Sequence, residues 1–393
     1  MSDPGLALCV NSGSSSVKLT VLAADRSGPR GSQQRIAEAA IEGVGTAAPR
    51  AWVRRAGDTE PKPRPVGGDA GVAATIDLAL SLARELVHQP AFVVHRVVHG
   101  GARLRQAVLV DDTSLAAIEA LAPLAPLHQP AAVAGMRAAL RRWPGVPHVA
   151  CFDTAFHADL PELAWRLPLP RELAGDDLRR YGFHGLSYGH VMWTLGTPPP
   201  ERVVIAHLGN GSSLVAVRKG RSIDTTMGFT PAGGVCMGTR SGDLDPGVFF
   251  FLARERRLTI DDIERVCEHE SGLRAVGGTS DMKTLMAERE REPRAALAVT
   301  MFAYGVRKAI GALAAALGGL DTLVFTGGIG AHVAEVRQEA CAGLQPWGVT
   351  LDPSRNARGD GLVSSAGSAC PVRVVAADEE SQMVREALSL LAG

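Results

Sequence analysis

The residues best suited to chemistry fall in three polar, glycine-rich segments within residues 181–247: Tyr181-Gly-Phe-His-Gly185, His207-Leu-Gly-Asn-Gly-Ser-Ser213 and Met237-Gly-Thr-Arg-Ser-Gly-Asp-Leu-Asp-Pro246. Glycine lets a backbone approach a ligand closely, and successive N–H groups in a tight turn converge on an anion. Arg240, flanked by small residues, adds a planar forked cation matched to phosphate oxygens. Together they point to phosphate handling. A Gly-Asn-Gly turn alone reads equally well as an ordinary β-hairpin, and His184 or His207 alone as a partner for loop carbonyls. The clustering of three such segments, each after an apolar stretch, favours a site. No Gly-x-x-x-x-Gly-Lys-Ser/Thr loop occurs, so a P-loop is excluded.

The elements that must position these groups follow from hydrophobic pattern. Residues 202–206 read as a buried strand and 214–217 as its hairpin partner. The same order occurs near the start, with an apolar strand at 6–10, the turn Asn11-Ser-Gly-Ser-Ser-Ser16 and a second strand at 17–22. Gly13-Ser14-Ser15 recurs as Gly211-Ser212-Ser213, which implies internal duplication of a strand–turn–strand unit, with chance likeness of two short hairpins as the alternative. Residues 24–74 read as peripheral strands and loops, and 75–88 as an amphipathic helix. A strand at 92–98 carries Arg96, and one at 148–152 runs into Asp153-Thr-Ala-Phe-His157. Strand carboxyl ends are where open α/β sheets gather ligands.

Further helices are predicted at 113–121, 131–142, 258–268 and 293–317. The last is apolar, but Arg307 and Lys308 near its middle mark a core helix rather than a membrane span. A strand at 321–326 enters Gly327-Gly-Ile-Gly330 and then a helix, a unit suited to a nucleotide against glycine backbone. A final strand at 372–377 leads to Asp378-Glu-Glu380, whose acids cap the last helix.

Composition sets the bounds. A chain of 393 residues with 46% hydrophobic and 21% charged residues is globular, with chain enough for two or three domains. Lys+Arg and Asp+Glu balance at 41 each, which removes any charge-based case for nucleic acid or an anionic membrane. Six scattered cysteines without Cys-x-x-Cys spacing suggest reduced thiols, and the start lacks a basic leader, so a cytoplasmic protein is expected.

Taken together, Asn11-Ser-Gly-Ser-Ser-Ser-Val-Lys18, His95-Arg-Val-Val-His-Gly-Gly101, Ala125-Pro-Leu-His128, Phe152-Asp-Thr-Ala-Phe-His157, Arg180-Tyr-Gly-Phe-His-Gly185, the 207–213 turn, residues 224–246 and 325–330 resemble the acetate kinase family over nearly the whole chain. The resemblance implies an α/β fold of two duplicated actin-like (ribonuclease H-like) domains flanking a nucleotide cleft, with 1–156 plus 381–393 on the acyl side and 157–380 on the nucleotide side. It implies reversible Mg²⁺- or Mn²⁺-dependent phosphoryl transfer between ATP/ADP and acetate/acetyl phosphate, in a homodimer. By matching position it implies Arg96 and Arg240 as the phosphoryl-gripping pair, with Asp153, His184 and Asn11 as further catalytic residues.

The resemblance assigns Asn11 and Glu379 to the metal, and Ser14, Ser16, Lys18, His207, Gly209, Asn210, Gly211, Asp281, Met282, Lys283, Gly328, Ile329 and Gly330 to the nucleotide. Val98, Leu127, Phe183 and Pro231 would form the pocket for the acetate methyl. Departures are Gln129 for Asn, Leu186 for a small hydroxyl residue, Lys283 for Arg, Ala331-His332 for Glu-Asn and Ala377-Asp378 for Thr-Asn. Several gather on the adenosine side. A propionate or other short-chain acyl kinase, and a non-catalytic nucleotide-responsive protein, are the alternatives.

Overall fold

The computed structural model describes residues 5–13, 16–24, 33–43, 49–66, 72–126 and 128–392. The chain forms two compact units, Met1–Ala155 with Asp378–Gly393, and Phe156–Ala377. The segment 378–380, expected in the second unit, belongs to the first, because Asp378 and Glu380 pair with Arg35 and Glu379 with Arg96.

The first unit is built on eight strands: β1 (Gly5–Ser12), β2 (Ser16–Ala24), β3 (Gln33–Glu42), β4 (Arg50–Arg55), β5 (Lys62–Arg64), β6 (Phe92–Val97), β7 (Val108–Leu109) and β8 (His148–Phe152). Their order is β5-β4-β3-β2-β1-β6-β8-β7. β1 runs antiparallel to β2 and parallel to β6, which is parallel to β8. The second unit has β9 (Arg202–Leu208), β10 (Ser212–Arg218), β11 (Arg221–Thr225), β12 (Thr322–Thr326), β13 (Gly361–Leu362) and β14 (Val372–Val374), in the order β11-β10-β9-β12-β14-β13. Its hairpin β9–β10 is antiparallel, and β9, β12 and β14 are mutually parallel in turn. The order and sense of β3-β2-β1-β6-β8-β7 are therefore repeated strand for strand, with β4 and β5 added to the first sheet. β3, expected to be peripheral, pairs along the whole of β2.

The continuous apolar runs exist because the central strands are covered on both faces. In β9, Val204, Ala206 and Leu208 face the long helix Pro293–Leu317, while Val203 and Ile205 face the helix Gly185–Leu195 through Tyr188 and Val191. The long helix opens on Pro293, closes on Gly318 in the left-handed region, and buries Ala295, Val299, Phe302, Val306, Ile310 and Leu317. It is long and apolar enough to cross a membrane by length and composition. Its buried stripe instead forms one side of the second core, where Phe302→Ala would cost about 3–5 kcal/mol. In the first unit, helices Val72–Leu86 and Gln129–Arg142 supply the corresponding layer, and Glu379–Ala392 packs on β1, β6 and β8. All six cysteines are free thiols.

Candidate active site

In the first unit the polar groups gather where β6 and β8 end. Arg96 donates to Asp153 through Nε to Oδ1 at 3.0 Å and Nη2 to Oδ2 at 2.6 Å, and its Nη1 lies 3.3 Å from Glu379 Oε2. Asp153 is buried directly after β8, its N–H donating to the Val97 carbonyl at 3.0 Å. Burial alone would pull the Arg96 guanidinium down, but Asp153 and then Glu379 hold it above its ordinary value. Glu379 opens the last helix, and its carboxyl is pushed up to about 7 by burial, then by Asp153 and Glu380 against the opposing pull of Arg96. Asn11 on β1 stands opposite Lys18 on β2, and Ser16 opens β2, its carbonyl accepting from Gly13 N–H at 2.8 Å. Val98 is half-buried just beyond β6. Ser14 and Leu127 lie outside the described residues. Gln129 is fully buried and its Nε2 donates to the carbonyls of His99 at 2.8 Å and Ile118 at 3.3 Å, so the longer amide ties two backbone segments together.

In the second unit the turn Gly209-Asn-Gly211 joins β9 to β10, and Ser212 Oγ closes it, accepting from Gly209 N–H and donating to the Gly209 carbonyl. A Cβ on Gly211 would lie 3.3 Å from Arg240 Nη1 and 3.5 Å from His184 Nε2, so both donors converge over this glycine. His184 precedes its helix in the left-handed region at φ 61. Its Nδ1 shares a 2.9 Å hydrogen bond with Ser213 Oγ, which in turn bonds Tyr188 OH. Its ring stacks on His207 at 4.2 Å, and His207 Nδ1 shares a 2.8 Å bond with Ser187 Oγ. These bonds turn His184 Nε2 outward to the turn.

Arg240 Nη1 donates to the Pro231 carbonyl at 3.3 Å, which places Pro231 beside it, and approaches Met237 Sδ at 3.9 Å. Burial lowers its pKa, with Glu268 opposing. Phe183 is buried, and its carbonyl meets His157 Nε2 at 3.1 Å. Burial pushes His157 down to about 4, so this ring is a neutral core histidine.

A cavity of about 820 Å³ runs from Gly209 and Asn210 past Met282, Lys283 and Met286 to Gly328 and Ile329. That volume suits a nucleotide-sized ligand. Gly328 has open space where a Cβ would stand. Gly330 and Gly211 do not line the cavity; Gly330 turns toward Ala206, Leu208 and Phe325. Asp281 lines it, but its carboxylate also caps the helix Met282–Glu288, accepting from Lys283 N–H and Thr284 Oγ1.

The Acetokinase family model matches residues 6–385. The chain belongs to the acetokinase family. It is 44% identical to an acetate kinase of Heliobacterium modesticaldum over 84% of this chain and 89% of the relative. The structure of Porphyromonas gingivalis acetate kinase is similar at 33% identity and TM-score 0.87, covering 98% of this chain and 100% of that one. A propionate kinase of Francisella tularensis subsp. tularensis is similar at 31% identity and TM-score 0.90, covering 97% and 98%. The fold is that of two duplicated α/β domains, shared with these kinases.

Several residues of this acetokinase site escape sequence reasoning. Ser187, Tyr188 and Ser213 orient the two histidines, and only the fold brings them together. Gly238 lies under Asn210, whose Oδ1 would be 2.1 Å from a Cβ there; its place in Met-Gly-Thr-Arg was the available signal. Gly327, at φ 75 and with the Leu208 carbonyl 2.6 Å from a built Cβ, is the glycine that the strand-to-helix turn requires.

Proposed function

We propose that this chain transfers a phosphoryl group reversibly between ATP and acetate, giving ADP and acetyl phosphate. The observation that carries the reading is the convergence of Arg240 Nη1 and His184 Nε2 over Gly211, in the turn that opens the nucleotide-sized cavity. One acetate oxygen attacks the γ-phosphorus, a new P–O bond forms, and the bond to the β,γ-bridging oxygen breaks with its electron pair leaving on ADP. A carboxylate with a pKa of roughly 4 is already ionised near neutrality, so no general base is needed. Catalysis is positioning and charge neutralisation. Arg96 and Arg240 serve the equatorial oxygens, His184 Nε2 donates to them, and Asn210 orients the phosphates. Asp153 fixes the plane of the Arg96 guanidinium rather than moving a proton.

Asn11 and Glu379 are oxygen donors, and Glu379, raised chiefly by burial and then by the neighbouring Asp153 and Glu380 carboxylates, is a hard ligand suited to a divalent cation. Mg²⁺ takes one or two carboxylates and keeps waters, which agrees with a centre that lacks a cluster of three or more His, Cys, Asp or Glu among the described residues. Bound there, it supplies neutralisation of phosphate charge. The nucleoside lies along Ile329, Met282 and Met286, with Lys283 and His332 at the base end.

The similarity to a propionate kinase favours a second reading, a broader acyl acceptor range. Bulky Val98, Phe183 and Pro231 favour acetate. We further propose a homodimer formed through the second unit. Leu297, Met301 and Tyr304, at helical spacing on one face of the long helix, are 58%, 38% and 54% exposed. Tyr304→Glu is expected to shift the mass seen by light scattering from dimer to monomer; a monomeric parent protein contradicts this. The activity is tested by hydroxylamine trapping with acetate, ATP and Mg²⁺, where hydroxamate is expected and its absence overturns the reading.

A further inference from the structure

Arg337 is 1% exposed in the helix Ala334–Cys341, and among the described residues its hydrogen bonds go to an amide and to carbonyls rather than to a carboxylate, with Glu335 acting on it only through space. Its Nε donates to Asn356 Oδ1 at 2.8 Å, its Nη1 to the carbonyls of Gly330 and Ala331 at 2.8 and 2.9 Å, and its Nη2 to the Asn356 carbonyl. A buried cation is ordinarily matched by an anion, because leaving water is costly. Here the orphan carbonyls at the end of the helix Gly327–His332 take that place. Asn356 is 4% exposed and closes the arrangement, its Nδ2 donating to the Ala334 carbonyl at 2.8 Å. Gly359, at φ 67, passes so close that a Cβ would lie 3.0 Å from the Ala331 carbonyl and 3.2 Å from Arg337 Nη2. One segment, 330–334, is thus gripped at three carbonyls from beneath. The adjoining residues Gly328, Ile329, His332 and Val333 form a wall of the 820 Å³ cavity.

We infer that Arg337, together with Asn356, is a positioning residue that holds the glycine turn in the shape that receives the nucleotide. This rests on the nucleotide reading of that cavity. The planar guanidinium matters for its geometry, since two bonds to Asn356 fix its plane and two in fixed directions hold the Gly330 and Ala331 carbonyls; a lysine has the charge but not the fork.

Titration calorimetry of ADP into the intact protein, alongside steady-state kinetics, tests this with Arg337→Met, Arg337→Lys and Asn356→Ala. ADP affinity should weaken and KM for ATP rise about 10- to 100-fold in Arg337→Met, the scale for misplacing a ligand-bearing element by about 1 Å. Arg337→Lys should remain impaired, Asn356→Ala should show a smaller shift of the same kind, and KM for acetate and kcat at saturating ATP should change little. Unchanged ADP affinity in folded Arg337→Met, or full recovery with lysine, would overturn the inference. So would an equal fall in every kinetic parameter, the mark of a purely structural role. Should Arg337→Met not fold, Asn356→Ala and Arg337→Lys decide by the same criteria. If the unaltered protein binds no ADP, the nucleotide reading fails first and takes the clamp with it; if it binds and the variants match it, only the clamp fails.

Discussion

Arg96 in the first unit and Arg240 in the second are held in opposite ways. Arg96 is gripped by Asp153 through two bonds and by Glu379, so its charge is matched before any ligand arrives. Among the described residues Arg240 donates to the Pro231 carbonyl and, weakly, to Met237 sulfur, and burial lowers its pKa while Glu268 partly opposes. An incoming phosphate therefore relieves Arg240 more than Arg96. On the proposed mechanism the comparison separates two tasks, with anion affinity assigned to Arg240 and orientation to Arg96. Surface character divides the same way: among the described residues, the large exposed apolar side chains include Leu109 alone in the first unit, against Phe250, Phe251, Leu297 and Tyr304 in the second.

The largest effect should come from truncating either cation. Alanine at Arg240 or Arg96 is expected to lower kcat by about 10³- to 10⁵-fold, with poor recovery on lysine. Urea unfolding sharpens the contrast. Arg96→Ala leaves the buried Asp153 carboxylate unpaired and should cost about 3 kcal/mol, whereas Arg240→Ala breaks no ion pair among the described residues and should cost far less. Equal losses of stability would break the comparison, and less than tenfold loss of kcat at either position would remove that arginine from the mechanism.

Acid offers a second contrast. Burial holds His99 and His148 at about 4 and His95 well below its ordinary value in the first unit, while the second has His157 at about 4. A histidine whose pKa is depressed on folding takes up its proton more readily when unfolded, so stability present above pH 6.5 is lost as pH falls toward 4. Glu379, held up at about 7, works the other way in the first unit, so in a Glu379→Gln background the first unit should lose more stability in acid than the second when hydrogen exchange is followed segment by segment. His157→Gln should flatten the loss in the second unit alone. Simultaneous loosening of both units contradicts the difference.

The smallest effect concerns the acyl pocket. Propionate should react about 10- to 200-fold less well than acetate, the discrimination one methylene permits. Val98→Ala should raise the propionate-to-acetate ratio of kcat/KM. An unchanged ratio in the folded variant removes Val98 from the pocket.

Much of this was legible in the chain. The paired Gly-Ser-Ser turns announced the duplication that the two strand orders display, because a hairpin needs only local residues to declare itself. The strand at 148–152 and the helix at 293–317 fall where apolar runs and Pro293 placed them. The helix Gly185–Leu195 was not legible, since it is apolar around much of its surface and begins after a histidine in the left-handed region. Nor was the Ser213–Tyr188 support of His184, a contact across 25 residues. Gly330 was read as nucleotide-lining from its motif, yet it turns toward the strands, because the helix begins at Gly327 itself rather than after the turn. Spacing identifies a glycine turn; only packing says which of its glycines faces out.

The central claim is that acetate accepts the phosphoryl group directly. Phosphorus NMR of the intact protein with acetate, ATP and Mg²⁺ measures this without a trap. The account expects acetyl phosphate and ADP to rise together in equal amounts, without inorganic phosphate, and ATP to return when acetyl phosphate and ADP are supplied. ADP appearing with inorganic phosphate alone, or no turnover in either direction, would contradict it.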